Sequence, residues 1–230
     1  MAENKMRDDT GNRPAGSFFH EDETPDIPGS VAFLGVHAAC LMVFWAGVSW
    51  IAVIVCVLTY YARAFGLTAG YHRCFSHRSC KTGRVFHFLL APLGASAAQM
   101  GPLWWAAHHR HHHRHADTDQ DIHSPVQRGF CWSHVGWILC RFCSNSLAHV
   151  FGRRRYTTKD TRRNNLLLAL LTMGEGWHNN HHRYPFSERQ GFYWWEIDPT
   201  HYLLSFLSLF RIVWDLNRLP AEAYATEERT

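Results

Sequence analysis

The stretch GEGWHNNHHRYP, residues 174–185, decides how this chain is read. It sets three histidines, His178, His181 and His182, in a His-x-x-His-His pattern. On a helix, positions i, i+3 and i+4 share a face, so three imidazoles can address one point. A second run, HHRHHHRH over residues 108–115, allows the same pattern in two registers: His108, His111 and His112, or His109, His112 and His113. A third segment, HRCFSH, carries His72 and His77. A spacing of five lies off one α-helical face, so this pair needs a helix end or a kink to meet.

Neutral imidazole suits iron, zinc, copper or nickel. Two triplets and a pair exceed what one four-coordinate zinc can use, which points to two metal ions. The plain alternative is a solvated or pH-sensing histidine patch. Three clusters flanked by glycine, glutamate, asparagine and tryptophan argue against it.

Composition fits a metal site at a membrane. Eighteen of 230 residues are histidine, and ten Trp and fifteen Phe suit membrane interfaces and large apolar contacts. The net charge of +4 and pI near 8.7 are mildly basic and imply no nucleic-acid partner. Seven cysteines lie scattered without disulfide-scaffold spacing, several in apolar or His-rich segments, and are expected to be reduced thiols facing a cytosol. Cys140 and Cys143 form a lone CxxC, a weak signal for metal or redox chemistry.

The first 30 residues are polar and charged, read as a mobile tail without a secretory signal. Residues 31–61 contain no Asp, Glu, Lys or Arg. A span needs about 20 apolar residues. The run therefore allows either one long tilted helix or two short helices turning at Gly47–Ser49, the second continuing to Gly70. Residues 86–107 are apolar but broken by Pro92, Gly94 and Pro102, and the Trp104–Trp105 pair suggests an element ending at an interface. Residues 201–216 carry Arg211 and Asp215 and read as an interfacial or packed helix. Basic residues crowd in after residue 61, which places the polar part in the cytoplasm.

GLTAGYHRCFSHRS (66–79), GPLWWAAHHRHHHRHADTDQDIHSP (101–125), GFCWSHVGWIL (129–139), NSLAHVFG (145–152) and GEGWHNNHHRYP resemble the successive signatures of the membrane fatty-acyl desaturases. The pattern is most similar to the bacterial stearoyl-CoA, delta-9 type of acyl-CoA desaturase. RQGFYWWEIDPTHYLLSFLSLFRIVWDL (189–216) resembles that family's C-terminal part.

The resemblance implies an all-α integral membrane protein, with an N-terminal transmembrane helix hairpin and a cytosolic helical His-rich cap. It sits in the bacterial inner membrane with the metal site facing the cytoplasm. Two iron ions and O2 would introduce a cis double bond, at delta-9, into a long-chain saturated acyl-CoA. In the family a Trp stands four residues before the first ligand of the second box and an Arg follows that ligand. Trp105 and Arg110 thereby select the register His109, His112 and His113. The implied ligands are His72, His77, His109, His112, His113, His149, His178, His181 and His182, with Asn145 at the metal through water. Asp117, Asp121 and Glu175 are candidates to orient imidazoles, with surface charge or capping as the alternative for each.

No fused cytochrome or ferredoxin-like cysteine cluster is visible, so electrons are expected from a separate ferredoxin, rubredoxin or cytochrome b5 type protein. Arg153, Arg154, Arg155, Arg162 and Arg163 form a basic stretch that could face lipid headgroups, an acidic donor or a CoA phosphate, with an ordinary juxtamembrane basic face as the alternative.

The chain departs from the family in one respect. SHVGWILC runs almost directly into RFCSNSLAH, where the family has a second transmembrane helix pair needing about 40 residues. The expected organisation is a tail over 1–30, a desaturase-like membrane and di-iron domain over 31–217 with an internal deletion near 140–141, and a tail over 218–230. Three readings follow: an active desaturase or, on the same site, a hydroxylating relative; a catalytically inactive, internally deleted homologue that still binds metal; and a zinc-binding membrane anchor or sensor.

Overall fold

In a computed structural model of the chain, residues 27–118, 121, 124–129 and 151–225 are described. The described residues are mostly helical. Helix α1 runs Ile27–Cys40 and a short α2 runs Val43–Ala46. The chain then breaks at Gly47, whose φ of 74° suits glycine. Ser49 caps the next helix by accepting a hydrogen bond from the Ala52 amide. That helix, α3 (Trp50–Phe65), passes without interruption into a π-helical segment, Gly66–Ser76. The chain breaks at Gly47–Ser49, where the apolar run offered a turn, and the helix beyond it runs past Gly70 to Ser76.

The 27 residues from Trp50 to Ser76 form the one helix among the described residues that is long and apolar enough to cross a membrane. At about 1.5 Å per residue it exceeds the ~30 Å hydrocarbon core. Trp50, Ile51, Ala52, Val53, Val55, Cys56 and Val57 are all exposed, so α3 is apolar around its girth. The π segment is the opposite: nine of its eleven residues, from Gly66 to Ser76, are buried.

Helix α4 (Arg84–Ala95) lies against the π segment, and α5 (Pro102–His115) packs beside both. Gly66 permits the close approach, because a Cβ there would stand 2.6 Å from the Gly94 amide nitrogen. The Trp104–Trp105 pair does not end an element: it forms the first turn of α5, with Pro102 at the helix start. Short helices α6 (Pro125–Arg128), α7 (Leu166–Leu171) and α8 (His178–Arg183) follow, then α9 (Pro199–Leu209) and α10 (Glu222–Ala225). Helix α9 has a buried Leu204 and an exposed Phe206, a packed helix with one apolar face outward. A two-stranded antiparallel sheet pairs β1 (Lys81–Thr82) with β2 (Val213–Trp214), Thr82 opposite Val213.

The core gathers Phe65, Ala69, Leu90, Met173, Leu204 and Val213 around Cys74 and Cys80. Those two cysteines form a disulfide across six positions. This corrects the expectation of reduced thiols throughout; among the described residues Cys40 and Cys56 are the free ones. The spacing gave no warning, because the pair meets only where the π segment ends and the chain doubles back.

A buried Arg73 ties the π segment to the C-terminal part. Its guanidinium donates to Asp198 at 2.8 Å and to the Glu188 carbonyl at 2.9 Å. Asp198 also caps α9, accepting from the His201 amide. A buried ion pair of this kind holds position more than it adds stability.

Candidate metal centre

The first histidine pair owes its geometry to the π segment. On an α-helix a step of five turns a side chain by about 140° away. Here the His77 amide donates to the His72 carbonyl, an i→i+5 bond that returns residue 77 over residue 72. The two rings stand 4.9 Å apart.

The second run supplies its rings from α5. His109 and His113, one turn apart, face the π segment; His112 points to the adjacent side. His108 instead stacks on Trp104, and His111 packs tilted against His115; these three lie outside both histidine groups. Trp105 stacks on His109 at 4.7 Å and walls it off.

The third box begins after Gly174, at φ 110°, where a Cβ would stand 2.9 Å from Arg73. The two asparagines between its histidines fasten α8. Asn179 accepts from the Arg155 and Tyr156 amides, both at 2.8 Å. Asn180 donates to Glu196 at 3.0 Å and accepts from Asn164 at 2.6 Å.

These elements bring His72, His77, His109, His113 and His181 together, with ligand atoms all within 4.8 Å of one another. The Nε2 atoms form a chain of close contacts: His72 to His181 at 2.9 Å, His181 to His113 at 3.0 Å, His113 to His109 at 3.0 Å and His109 to His77 at 2.9 Å. A ring nitrogen has one in-plane lone pair or one hydrogen, not both. The nitrogens of His109, His113 and His181 each face two partners, so mutual hydrogen bonding cannot satisfy the set. A single central cation can. Ligands about 2.1 Å from a metal and at right angles stand about 3.0 Å apart. The observed contacts match that spacing.

The electrostatics favour the ligating form. Burial, reinforced by His72, pushes His77 down to about 2. Burial and the neighbouring imidazoles hold His109, His113 and His181 well below the usual range, so all remain neutral. Glu175 pairs with His72 Nδ1, which places that ring's proton on Nδ1 and its lone pair on Nε2.

A second group joins His112, His178 and His182, again within 4.8 Å. It adjoins the first, since the His113 and His182 rings stack at 3.9 Å. Asp121 accepts from His112 Nδ1 at 2.9 Å, and Asp160 lies 3.2 Å from His182 Nδ1. Asp117 accepts from the Thr161 amide and from Ser124, pinning the loop after α5 to the segment before α7.

Asp160 and Arg162 escaped sequence reasoning. Both sit in a stretch read as one basic face, yet Arg162 is wholly buried and Arg155 pairs with Glu196 at 2.5 Å. The signal was a lone acid, Asp160, inside the run of cations. Gln190, 3.3 Å from His72 Nδ1, had none. Asn145, His149, Cys140, Cys143 and the 140–141 junction lie outside the described residues.

A cavity of about 530 Å³ opens onto His72 and His109. It runs back along α3, past Leu67, Arg63, Tyr60 and Cys56, with Trp105 and Thr172 on its other walls.

No family model matches the chain. Curated relatives do. The chain is 32% identical to the sn-1 stearoyl-lipid 9-desaturase of Anabaena variabilis, over 77% of this chain and 88% of the relative. It is 30% identical to the delta-9 acyl-lipid desaturase 1 of Arabidopsis thaliana, over 86% and 85%. It is 29% identical to the icosanoyl-CoA 5-desaturase of Limnanthes douglasii, over 92% and 78%. The Anabaena comparison extends over 241 residues, but 77% of 230 is about 177, so about 64 positions have no counterpart here. For Limnanthes, 280 positions against 92% of 230, about 212, leave about 68.

Proposed function

The chain belongs to the fatty acid desaturase family, and we propose that it is an O2-dependent desaturase of long saturated acyl-CoA, forming a cis bond at delta-9 on a two-iron site. The observation that carries this reading is the set of five buried or half-buried imidazoles whose nitrogens converge at metal-ligand spacing beside an elongated cavity.

In this reading His72, His77, His109, His113 and His181 hold one ion. His112, His178 and His182 contribute to the second, with His149 and a water held by Asn145 completing it. Bound iron supplies the oxidising power to take hydrogen from an unactivated methylene. This chain's residues do the rest. Glu175 and Asp121 fix the tautomers of His72 and His112, and Asp160, 3.2 Å from His182 Nδ1, is placed to do the same for His182 once a metal takes Nε2. Trp105 and the buried π segment keep water from the reacting carbons. The cavity between α3 and α5 holds the acyl chain so that one pair of carbons faces His72 and His109. The exposed apolar girth of α3 supports anchorage in a lipid bilayer, and the cation excess beyond residue 61 supports a cytoplasmic metal site of a bacterial inner-membrane protein. Electrons come from a separate donor of ferredoxin, rubredoxin or cytochrome b5 type.

A second reading has a specific observation behind it. The 64 to 68 unmatched positions are about what a helix pair and its loops require, which supports an internal deletion near residues 140–141. On that reading the protein binds metal without turnover. Purified membranes given deuterated stearoyl-CoA or stearoyl-lipid, reductant and a donor protein separate the cases. Deuterated cis-delta-9 product from the CoA ester supports the first reading; from the lipid alone it reassigns the carrier. Bound iron with no product from either supports the second.

A further inference from the structure

The second histidine group already has a cation in it. The Arg162 guanidinium, with no exposed surface, lies between His112 and His182. Its Nη2 rests against His112 Nε2, and its Nη1 stands 3.0 Å from His182 Nδ1 and 2.9 Å from Asp160 Oδ2.

Each contact uses a lone pair that a metal would need. His112 donates its Nδ1 proton to Asp121, so its one lone pair is on Nε2, where the guanidinium sits. Where Arg162 donates to His182 Nδ1, that ring carries its proton on Nε2, and Nε2 is then closed to a metal. Nε2 of His182 is buried and has no hydrogen-bond partner among the described residues. Among the described residues the five-histidine group has no such occupant: its nitrogens face one another. The two groups therefore start from unequal positions.

We propose that Arg162 is a resident counter-cation of the second group, so that metal enters the five-histidine group first and enters the second only as Arg162 withdraws onto Asp160. This rests on the two-ion reading above. Asp160 serves both states: it accepts from Arg162 before the second ion enters, and it is placed to accept from His182 Nδ1 afterwards, once that ring changes tautomer. Arg162 is a positioning residue, not a catalytic one. It keeps buried imidazoles in place while the group is empty, and it separates two binding events that adjacent, similar histidine sets would otherwise merge.

The test is an anaerobic titration of Fe2+ into the metal-free full chain in detergent, with bound iron counted after gel filtration. Wild type is expected to bind in two steps, the second at least tenfold weaker than the first. Arg162→Gln, which removes the charge and keeps much of the shape, is expected to tighten the second step at least tenfold and leave the first within twofold. Arg162→Lys, which keeps the charge without the planar fork, is expected to fall between them. Two equal steps in wild type overturn the proposal whether or not either variant folds. So does an Arg162→Gln protein that keeps the first step but shows an unchanged or lost second one. Iron binding is read without turnover, so failure of the desaturase reading leaves this result intact. Equal steps in a protein that desaturates overturn this inference alone.

Discussion

Glu175→Ala tests how the first group is tuned. The Glu175 carboxylate receives the His72 Nδ1 proton and so leaves Nε2 as the ligating lone pair. Gln190 stands on the same side, its amide nitrogen 3.3 Å from His72 Nδ1 and 3.4 Å from both Glu175 oxygens. With the carboxylate gone, the nearest polar group to Nδ1 is that amide donor. It favours a lone pair on Nδ1, which moves the proton to Nε2 and turns His72 away from metal binding. Loss of a partner of this kind costs about 10- to 100-fold in metal affinity, or about 1.4 to 2.8 kcal/mol. Glu175→Gln keeps an acceptor oxygen and is expected to lose less. Adding Gln190→Ala to Glu175→Ala is expected to restore part of the loss, because the competing donor is removed. The assay is iron retained per chain under graded chelator, with circular dichroism to confirm the fold. Retention within twofold of wild type in a folded Glu175→Ala protein would refute the tautomer argument, most clearly if His72→Ala in parallel loses its iron.

Acid should weaken the metal-free protein: His77, His109, His113 and His181 are held neutral by burial, while in the unfolded chain each titrates near 6.5. Their neutrality costs nothing above that pH and removes stability as the pH falls below it, so the melting temperature should fall from pH 7.5 to 5; a flat profile would count against buried neutral rings. Among the described cysteines, iodoacetamide is expected to label Cys40 and Cys56 directly and Cys74 and Cys80 only after reduction, as peptide mass spectrometry can show. Cys74→Ser is expected to cost about 2 kcal/mol for the short loop it opens, read as a lower melting temperature. Tyr60 walls the cavity far along α3 and donates to the Leu171 carbonyl at 2.9 Å, so Tyr60→Ala should shift the products toward longer acyl chains in gas chromatography.

The histidines were legible because their spacing is local: His-x-x-His-His puts three rings on one helical face wherever the helix lies. The register of the second run was open from spacing alone and needed the resemblance, through Trp105 and Arg110. The π segment was legible only as a requirement, since HRCFSH demanded some departure from an α-helix without saying which. Partners that reach across the chain were not legible. Asp160 drew no reading and Arg162 read as part of a basic stretch facing lipid, a donor or a CoA phosphate, because nothing in the neighbouring residues records that Arg162 turns inward onto histidines 50 and 20 positions away. The Cys74–Cys80 bond was hidden for a similar reason: it depends on the turn at Arg78 (φ 52°), which doubles the chain back after the first box. In the apolar run the turn at Gly47 was visible as small residues between bulky ones, but the choice between one helix and two needed the backbone.

The most direct measurement is the fatty-acid profile of a desaturase-deficient host expressing this chain, by gas chromatography with membrane accumulation checked by blot. A new monounsaturated acyl peak is expected, with its double bond at delta-9, and it should vanish when His181, the imidazole that bridges His72 and His113, is changed to alanine. No new peak from stably accumulated protein, or a peak that survives His181→Ala, would contradict a desaturase working through the five-histidine site.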